Sequence, residues 1–256
     1  MSGPKENPEQ SADPAKKLLE NPEAALNAIQ GIIRIFSHDL RTPLTVLRGD
    51  AEVALLKPRS AEEYQRVLSS NLAEVDRISR LVDDVFALIQ GISGSLKLSF
   101  HAIKLNELVS QLADQCLKEV SQKGICLTIK AKNEIVIHAD QHRLEQLLAR
   151  IIGNTLDWAP ERSKVEVSVE ELEKKACVFI RDHGAGIPAD QLDLIFDPFI
   201  KSEALRTSLP QGKRVVFSLC KLIAEAHGGS LEVESRVGKG SGTCFTLCLP
   251  KSPEIA

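Results

Sequence analysis

An α+β fold, a helical hairpin followed by an α/β sandwich, is predicted by three observations. Two long apolar stripes at helical spacing fill the N-terminal part of the chain, and a short break carrying a helix-start signal separates them. After Gly94 the texture changes to short alternating runs interleaved with amphipathic segments.

The first helix starts at Asn21-Pro22, a capping side chain followed by proline at the first helical position. Ile29, Ile32, Ile33, Phe36, Leu40, Leu44 and Leu47 then recur at spacings of three and four, one stripe of a long helix. Pro43 lies within it and is expected to kink it. Lys57-Pro58-Arg59 ends the pattern, and Ser60-Ala61-Glu62-Glu63 reads as a capping box that opens a second helix. Its apolar positions Leu68, Leu72, Val75, Ile78, Val82, Val85 and Ile89 are spaced 4, 3, 3, 4, 3 and 4, close to a heptad seam. One hairpin cannot bury its own stripe, whereas two copies packed as a four-helix bundle can, so a homodimer is expected.

Beyond Gly94, strands are expected over Leu96–Phe100, Ile125–Ile129, 164–171, 176–181, 230–235 and 243–249. Helices are expected over 104–122, 140–157 and 214–227, covering a mixed sheet. The resulting division is a polar lead-in over 1–21, a helical domain over 22–92, an α/β domain over 93–250 and a tail over 251–256.

Of the 256 residues, 43% are hydrophobic, enough for one generous core or two modest ones. A net charge of −3 gives no bulk attraction to nucleic acid or anionic lipid. No run approaches the ~20 apolar residues that cross a bilayer, and the N-terminus lacks the apolar core of a signal peptide. A soluble, cytoplasmic chain is the expectation. The six cysteines form no CxxC pair and mostly sit among apolar neighbours, so buried reduced thiols are expected rather than a zinc or redox centre.

Ser37-His38-Asp39-Leu40-Arg41-Thr42-Pro43-Leu44 carries the most chemistry. His38 and Thr42 stand one turn apart on one helix face. A neutral imidazole is a competent nucleophile near pH 7. The adjacent Asp39 carboxylate can accept its Nδ1 proton, leaving Nε2 to attack. Thr42 can hold a water for the reverse hydrolysis. The string resembles the H-box of histidine kinases, S-H-E/D-L-R-T-P-L. That resemblance implies that His38 is the phosphoacceptor, Asp39 the general base and Thr42 a phosphatase-assisting residue.

Asp182-His183-Gly184-Ala185-Gly186-Ile187 follows a strand, its glycines allowing close approach to a flat ligand and its carboxylate suited to an exocyclic amine. By itself this pattern is weak. It is followed by Ile195-Phe196-Asp197-Pro198-Phe199, then Glu225-Ala226-His227-Gly228-Gly229, then Gly238 to Thr243 leading into a final strand. In that order these resemble the G1 box, F box and C-terminal hairpin of the ATP-binding domain of histidine kinases, gyrase and heat-shock proteins, and the likeness spans roughly residues 30–250. It implies ATP and Mg²⁺ as ligands, with Asn154 matching the metal-binding asparagine of the N box. It also implies nucleotide contacts from Asp182, Gly184, Gly186, Ile187, Phe196, Phe199, Lys201, Gly212 and Thr243. Trp158 stands where the family carries a ring against adenine, and an ordinary core tryptophan is the alternative.

The chain departs from the family where the triphosphate would lie. Arg150 replaces a second asparagine, Asp157 replaces a basic residue, and Gly212-Lys213-Arg214-Val215-Val216 keeps only the first glycine of the G2 pattern. Lys213 and Arg214 are either a substitute phosphate clamp or its remnant. Arg150 and Asp157 are either a charge swap, with Asp157 joining the metal, or an idle surface pair. The resemblance implies a sensor kinase that phosphorylates its own histidine and then an aspartate on the receiver domain of a response regulator. The alternatives are a kinase-impaired phosphotransfer or phosphatase module, and an ATPase of the wider superfamily without a phosphohistidine.

Overall fold

A computed structural model describes residues 22–93, 95–131, 133–192, 194–196, 212–238 and 240–252. It divides the chain into two compact units, Met1–Leu96 and Lys97–Ala256.

The first unit is a hairpin of α1 (Pro22–Leu55) and α2 (Ala61–Ile92), with Pro43 inside α1. The capping box forms as expected: Ser60 Oγ accepts from Glu63 N–H at 3.2 Å, and Glu63 accepts from Ser60 N–H at 2.9 Å. Such a cap is worth about 1 kcal/mol. Ser70 Oγ bonds Asp50 at 3.1 Å and Arg59 reaches the Val53 carbonyl at 3.0 Å, fixing how the two helices run against each other. Ala54, Ala87 and Leu88 are buried, yet Leu68, Leu72 and Val75 on the α2 seam remain 66%, 63% and 46% exposed.

The second unit is the α/β sandwich. Its elements are β1 (His101–Lys104), α3 (Leu105–Gln115), α4 (Leu117–Lys123), β2 (Cys126–Lys130), β3 (Val136–Ala139) and α5 (Gln141–Trp158). There follow β4 (Lys164–Leu172), β5 (Lys175–Arg181), α6 (Ala189–Leu192), α7 (Gly212–Ala226), β6 (Ser230–Arg236) and β7 (Gly242–Pro250). Five strands run in the order β2-β4-β5-β7-β6, with β2 parallel to β4 and the other pairs antiparallel. β1 and β3 form a separate antiparallel pair.

α3, α5 and α7 cover one sheet face. Alternation sends Val165, Val167 and Val169, Ala176, Val178 and Ile180, and Phe245, Leu247 and Leu249 into that layer, all buried. α5 answers with Leu144, Leu147, Leu148, Ile151, Ile152, Thr155 and Leu156, a buried stripe at helical spacing. Each such apolar side chain contributes roughly 1.5–3 kcal/mol, so this stripe holds the site-bearing helix on the sheet.

Four expectations need correction. Residues 95–100 form no strand: Ser99 N–H goes to the Asp140 carboxylate at 2.9 Å instead of a ladder, and the first strand begins at His101. β3, four residues long and paired with β1, had no expected counterpart. The helix expected over 104–122 breaks at Cys116, which closes α3 and opens α4. The cysteines differ most. Cys177 and Cys248 face each other across the β5–β7 ladder with Cα atoms 4.2 Å apart, joined as a disulfide, and Cys126 is exposed. Apolar sequence neighbours were a poor guide because adjacent strand residues face opposite sides of the sheet.

Candidate nucleotide and phosphoacceptor sites

Asp182 sits where β5 ends, and its N–H still bonds the Thr243 carbonyl at 2.9 Å, so the β5–β7 register runs one step past Arg181. The side chain is 3% exposed. Its Oδ1 accepts two backbone N–H groups, from Gly184 at 2.7 Å and Thr243 at 3.3 Å. Its Oδ2 is equally buried, and no described group hydrogen-bonds it. Burial pushes this carboxyl above the usual range, against the pull of the Gly184 and Thr243 N–H groups. An orphaned acceptor of this kind costs stability. A ligand N–H aimed at Oδ2 removes that cost.

The turn around it is pressed so closely on β6 and β7 that side chains are excluded from its glycines. Gly186 has φ +79°, and a Cβ there would lie 1.9 Å from the Arg236 carbonyl oxygen. A Cβ on Gly242 would lie 2.3 Å from the Asp182 carbonyl oxygen. Ile187 N–H donates to Ser235 Oγ at 2.7 Å, tying the turn to β6. Ser235 also donates to the Gly242 carbonyl at 2.8 Å and lies 3.0 Å from Thr243 Oγ1.

α5 brings the second group. Its N-cap Asp140 accepts from Arg143 N–H at 3.1 Å. At its far end the Trp158 carbonyl oxygen is 3.2 Å from where a Gly184 Cβ would be, so α5 and the glycine turn converge. The half-buried Trp158 ring is 5.7 Å from Phe217, which stacks on Phe245 at 5.1 Å. Phe196 meets the same Phe217 edge-on at 6.4 Å, and Ser218 Oγ holds the Phe196 carbonyl at 2.9 Å. Asn154, one turn before Trp158, donates Nδ2–H to the Arg150 carbonyl at 2.8 Å, so its Oδ1 takes no part in that bond. Asp157 lies 3.6 Å from Lys123 Nζ of α4. Arg150, Asn154 and Asp157 share a helix face, as their spacing requires.

The structure thus gathers Asp182, Gly184, Gly186, Ile187 and Thr243; the Trp158 carbonyl approaches Gly184, and the Trp158 and Phe196 rings both meet Phe217. Phe199 and Lys201 lie outside the described residues, as do the side chains of His38, Lys213 and Arg214. α7 is helical from Gly212 onward, so Arg214 and Val216 occupy its first turns. Among the described residues no cluster of three or more His, Cys, Asp or Glu side chains could hold a metal. His38, Asp39 and Thr42 belong to α1 of the hairpin unit, with Thr42 exposed and Ser37 Oγ bonded to the Ile33 carbonyl at 2.8 Å.

The hairpin unit and the α/β unit each match a family model. Residues 28–94 match the His Kinase A (phospho-acceptor) domain, and residues 139–253 match the histidine kinase-, DNA gyrase B-, and HSP90-like ATPase family. The chain belongs to the bacterial two-component sensor histidine kinases. The sensor protein SrrB of Staphylococcus aureus is 29% identical over 219 residues, covering 84% of this chain. The chain spans 37% of the length of that relative. The catalytic domain of histidine kinase ThkA, in a nucleotide-free form, is 27% identical with a TM-score of 0.54, covering 61% of this chain and 98% of that one. The fold alone is shared with ThkA in complex with response regulator protein TrrA (22% identity, TM-score 0.66, 97% of this chain and 70% of that chain). The same holds for the Acinetobacter baumannii histidine kinase AdeS (20%, 0.63, 84% and 98%). No described helix of this histidine-kinase chain is long and apolar enough to cross a membrane.

Ser235 and His227 have no role of their own in the sequence, although His227 stands in the Glu225–Gly229 string. His227 is 3% exposed, donates Nδ1–H to the Ile223 carbonyl at 2.8 Å, and accepts at Nε2 from Asp140 N–H at 3.1 Å. It therefore joins the end of α7 to the cap of the helix carrying Asn154. Burial depresses its pKa, opposed by the Ile223 carbonyl and by Asp140. A protonated ring would set Nε2–H against Asp140 N–H, so the neutral form belongs to the fold. Its contribution is complete above the unfolded value of about 6.5 and is lost as pH falls through the lower folded value. Stability measured by urea unfolding should decline as pH drops below about 6.5. His227→Gln, which keeps a donor and an acceptor without titrating, should flatten that slope; an unchanged slope assigns the decline to other groups.

Proposed function

We propose that this chain is the kinase core of a sensor that binds ATP through the Asp182 pocket, phosphorylates His38, and passes the phosphoryl group to an aspartate of a response-regulator receiver domain. The buried, unpartnered Oδ2 of Asp182 carries the reading, because it is an acceptor suited to an exocyclic amine such as that of adenine. His38 Nε2 attacks the γ-phosphorus in line, the bond to the β–γ bridging oxygen breaks, and ADP leaves. Asp39 takes the Nδ1 proton as the ring becomes cationic. Catalysis here is mainly positioning and charge neutralisation. Mg²⁺ on Asn154 Oδ1 would supply charge screening for the β- and γ-phosphates. Wild-type protein incubated with γ-labelled ATP–Mg²⁺ should acquire acid-labile, base-stable label, and its absence overturns the kinase reading.

The exposed seam of α2 supports a homodimer as the working form. Leu72→Glu combined with Val75→Glu should yield monomers in sedimentation at micromolar concentration, since buried uncompensated carboxylates are costly. A wild-type protein that is itself monomeric there contradicts the bundle.

A second reading is favoured by α7, which is helical through the positions where the family pattern has glycines. With Arg214 and Val216 in that turn, a phosphatase or phosphotransfer module using His38, Asp39 and Thr42 would need no triphosphate. Label-free wild type that still dephosphorylates a phosphorylated receiver domain selects it.

A further inference from the structure

The helix-facing side of the sheet is apolar rung after rung until its last one. Val178, Leu247 and Leu231 make one cross-strand row of β5, β7 and β6, and Ile180, Phe245 and Val233 make the next. The following row is Asp182, Thr243 and Ser235, all polar, with Ser235 directly opposite Thr243. Nothing in the nucleotide reading uses Ser235, yet it makes three hydrogen bonds there.

Counting protons orients the row. A carbonyl oxygen can only accept, so the single Ser235 hydroxyl proton goes to the Gly242 carbonyl at 2.8 Å. A backbone N–H can only donate, so Ser235 Oγ accepts from Ile187 at 2.7 Å. In the 3.0 Å contact with Thr243, Ser235 has only a lone pair left, and Thr243 must supply the proton. Both lone pairs of Thr243 Oγ1 then face away from Ser235. Asp182 beside it also presents an acceptor, Oδ2.

We propose that Ser235 is a specificity-determining positioning residue: it commits the Thr243 hydroxyl proton, so that the rung Asp182–Thr243 presents acceptors only and selects a purine bearing an amino group at position 6 over one bearing an oxo group. The inference rests on the nucleotide reading of Asp182 and adds the residue that sets the polarity of that pocket. In Ser235→Ala the Thr243 hydroxyl loses its acceptor and is free to rotate, so its proton becomes available to a 6-oxo group.

Calorimetric affinities for ATP and for inosine triphosphate, each with Mg²⁺, test it on the full chain. Wild type should prefer ATP, and Ser235→Ala should lower the ATP-to-inosine-triphosphate affinity ratio by about three- to tenfold, the worth of roughly one hydrogen bond. Ser235→Thr, which keeps the hydroxyl, should retain the wild-type ratio. In a Thr243→Val background the Ser235→Ala change should leave the ratio unmoved, because the hydroxyl through which it acts is gone. An unchanged ratio in Ser235→Ala, or an equal drop in the Thr243→Val background, makes Ser235 a structural tie and overturns the proposal. A wild type that binds neither nucleotide at millimolar concentration removes the nucleotide reading as well.

Discussion

His38→Gln protein, incubated with γ-labelled ATP–Mg²⁺, should acquire no acid-labile label while retaining wild-type nucleotide affinity. Glutamine has comparable reach and polarity but no nucleophilic ring nitrogen, so the transfer has no acceptor. The helix should tolerate the change, since glutamine is at least as good a helix former as histidine. Nucleotide affinity stays because the residues gathered around Asp182 all lie in the other compact unit, Lys97–Ala256. Both quantities must be read on one preparation. Label persisting on the variant relocates the acceptor, and lost nucleotide binding means that the two units are not independent.

Asp182→Asn has the next largest effect, and the structure says which way the new amide must point. Gly184 and Thr243 both donate to Oδ1, so the carbonyl oxygen of the asparagine has to take that position. Its NH₂ then replaces Oδ2, and an adenine amine bound there as proposed would meet it donor against donor. Affinity for ATP–Mg²⁺ should fall at least tenfold, or about 1.4 kcal/mol. Thermal stability should hold or rise, because burial already disfavours the charge at this position. The two readouts therefore move apart. A parallel loss of binding and stability would mean that Asp182 serves the fold and not the ligand.

What could be read from the sequence was whatever is decided within a few residues. The capping box at Ser60 and Glu63, the apolar stripes of α1 and α2, and the Asp-x-Gly-x-Gly turn after a strand are local signals, and the helical-then-α/β fold follows from them. What escaped depends on pairing between distant segments. Ser235 looks like an ordinary polar strand residue until the β6–β7 register sets it opposite Thr243. One signal was available: Leu231, Val233 and Ser235 alternate, so the serine shares the inward face of two apolar residues. β3 is too short to announce itself, and its partner strand begins at His101 because Ser99 is drawn to the cap of α5. His227 reads as part of a helix end, and only folding places its Nε2 at the Asp140 N–H.

The Cys177–Cys248 bond makes a closed covalent ring of the chain between them, a sequence separation of 71. Asp182, Phe196, α7, Ser235 and Thr243 all lie on that ring, so the bond encircles most of the candidate pocket in the topological sense. For a loop of this length, closure removes unfolded-state entropy worth about 4 kcal/mol in the chain-entropy view. Connectivity changes too. Hydrolysis of any one peptide bond between residues 177 and 248 opens the ring without parting the chain. A protease nick there yields a product that migrates as one species until reductant is added, and then as two. The segment around the candidate pocket can thus be cut once and still hold Asp182 and Thr243 on one molecule.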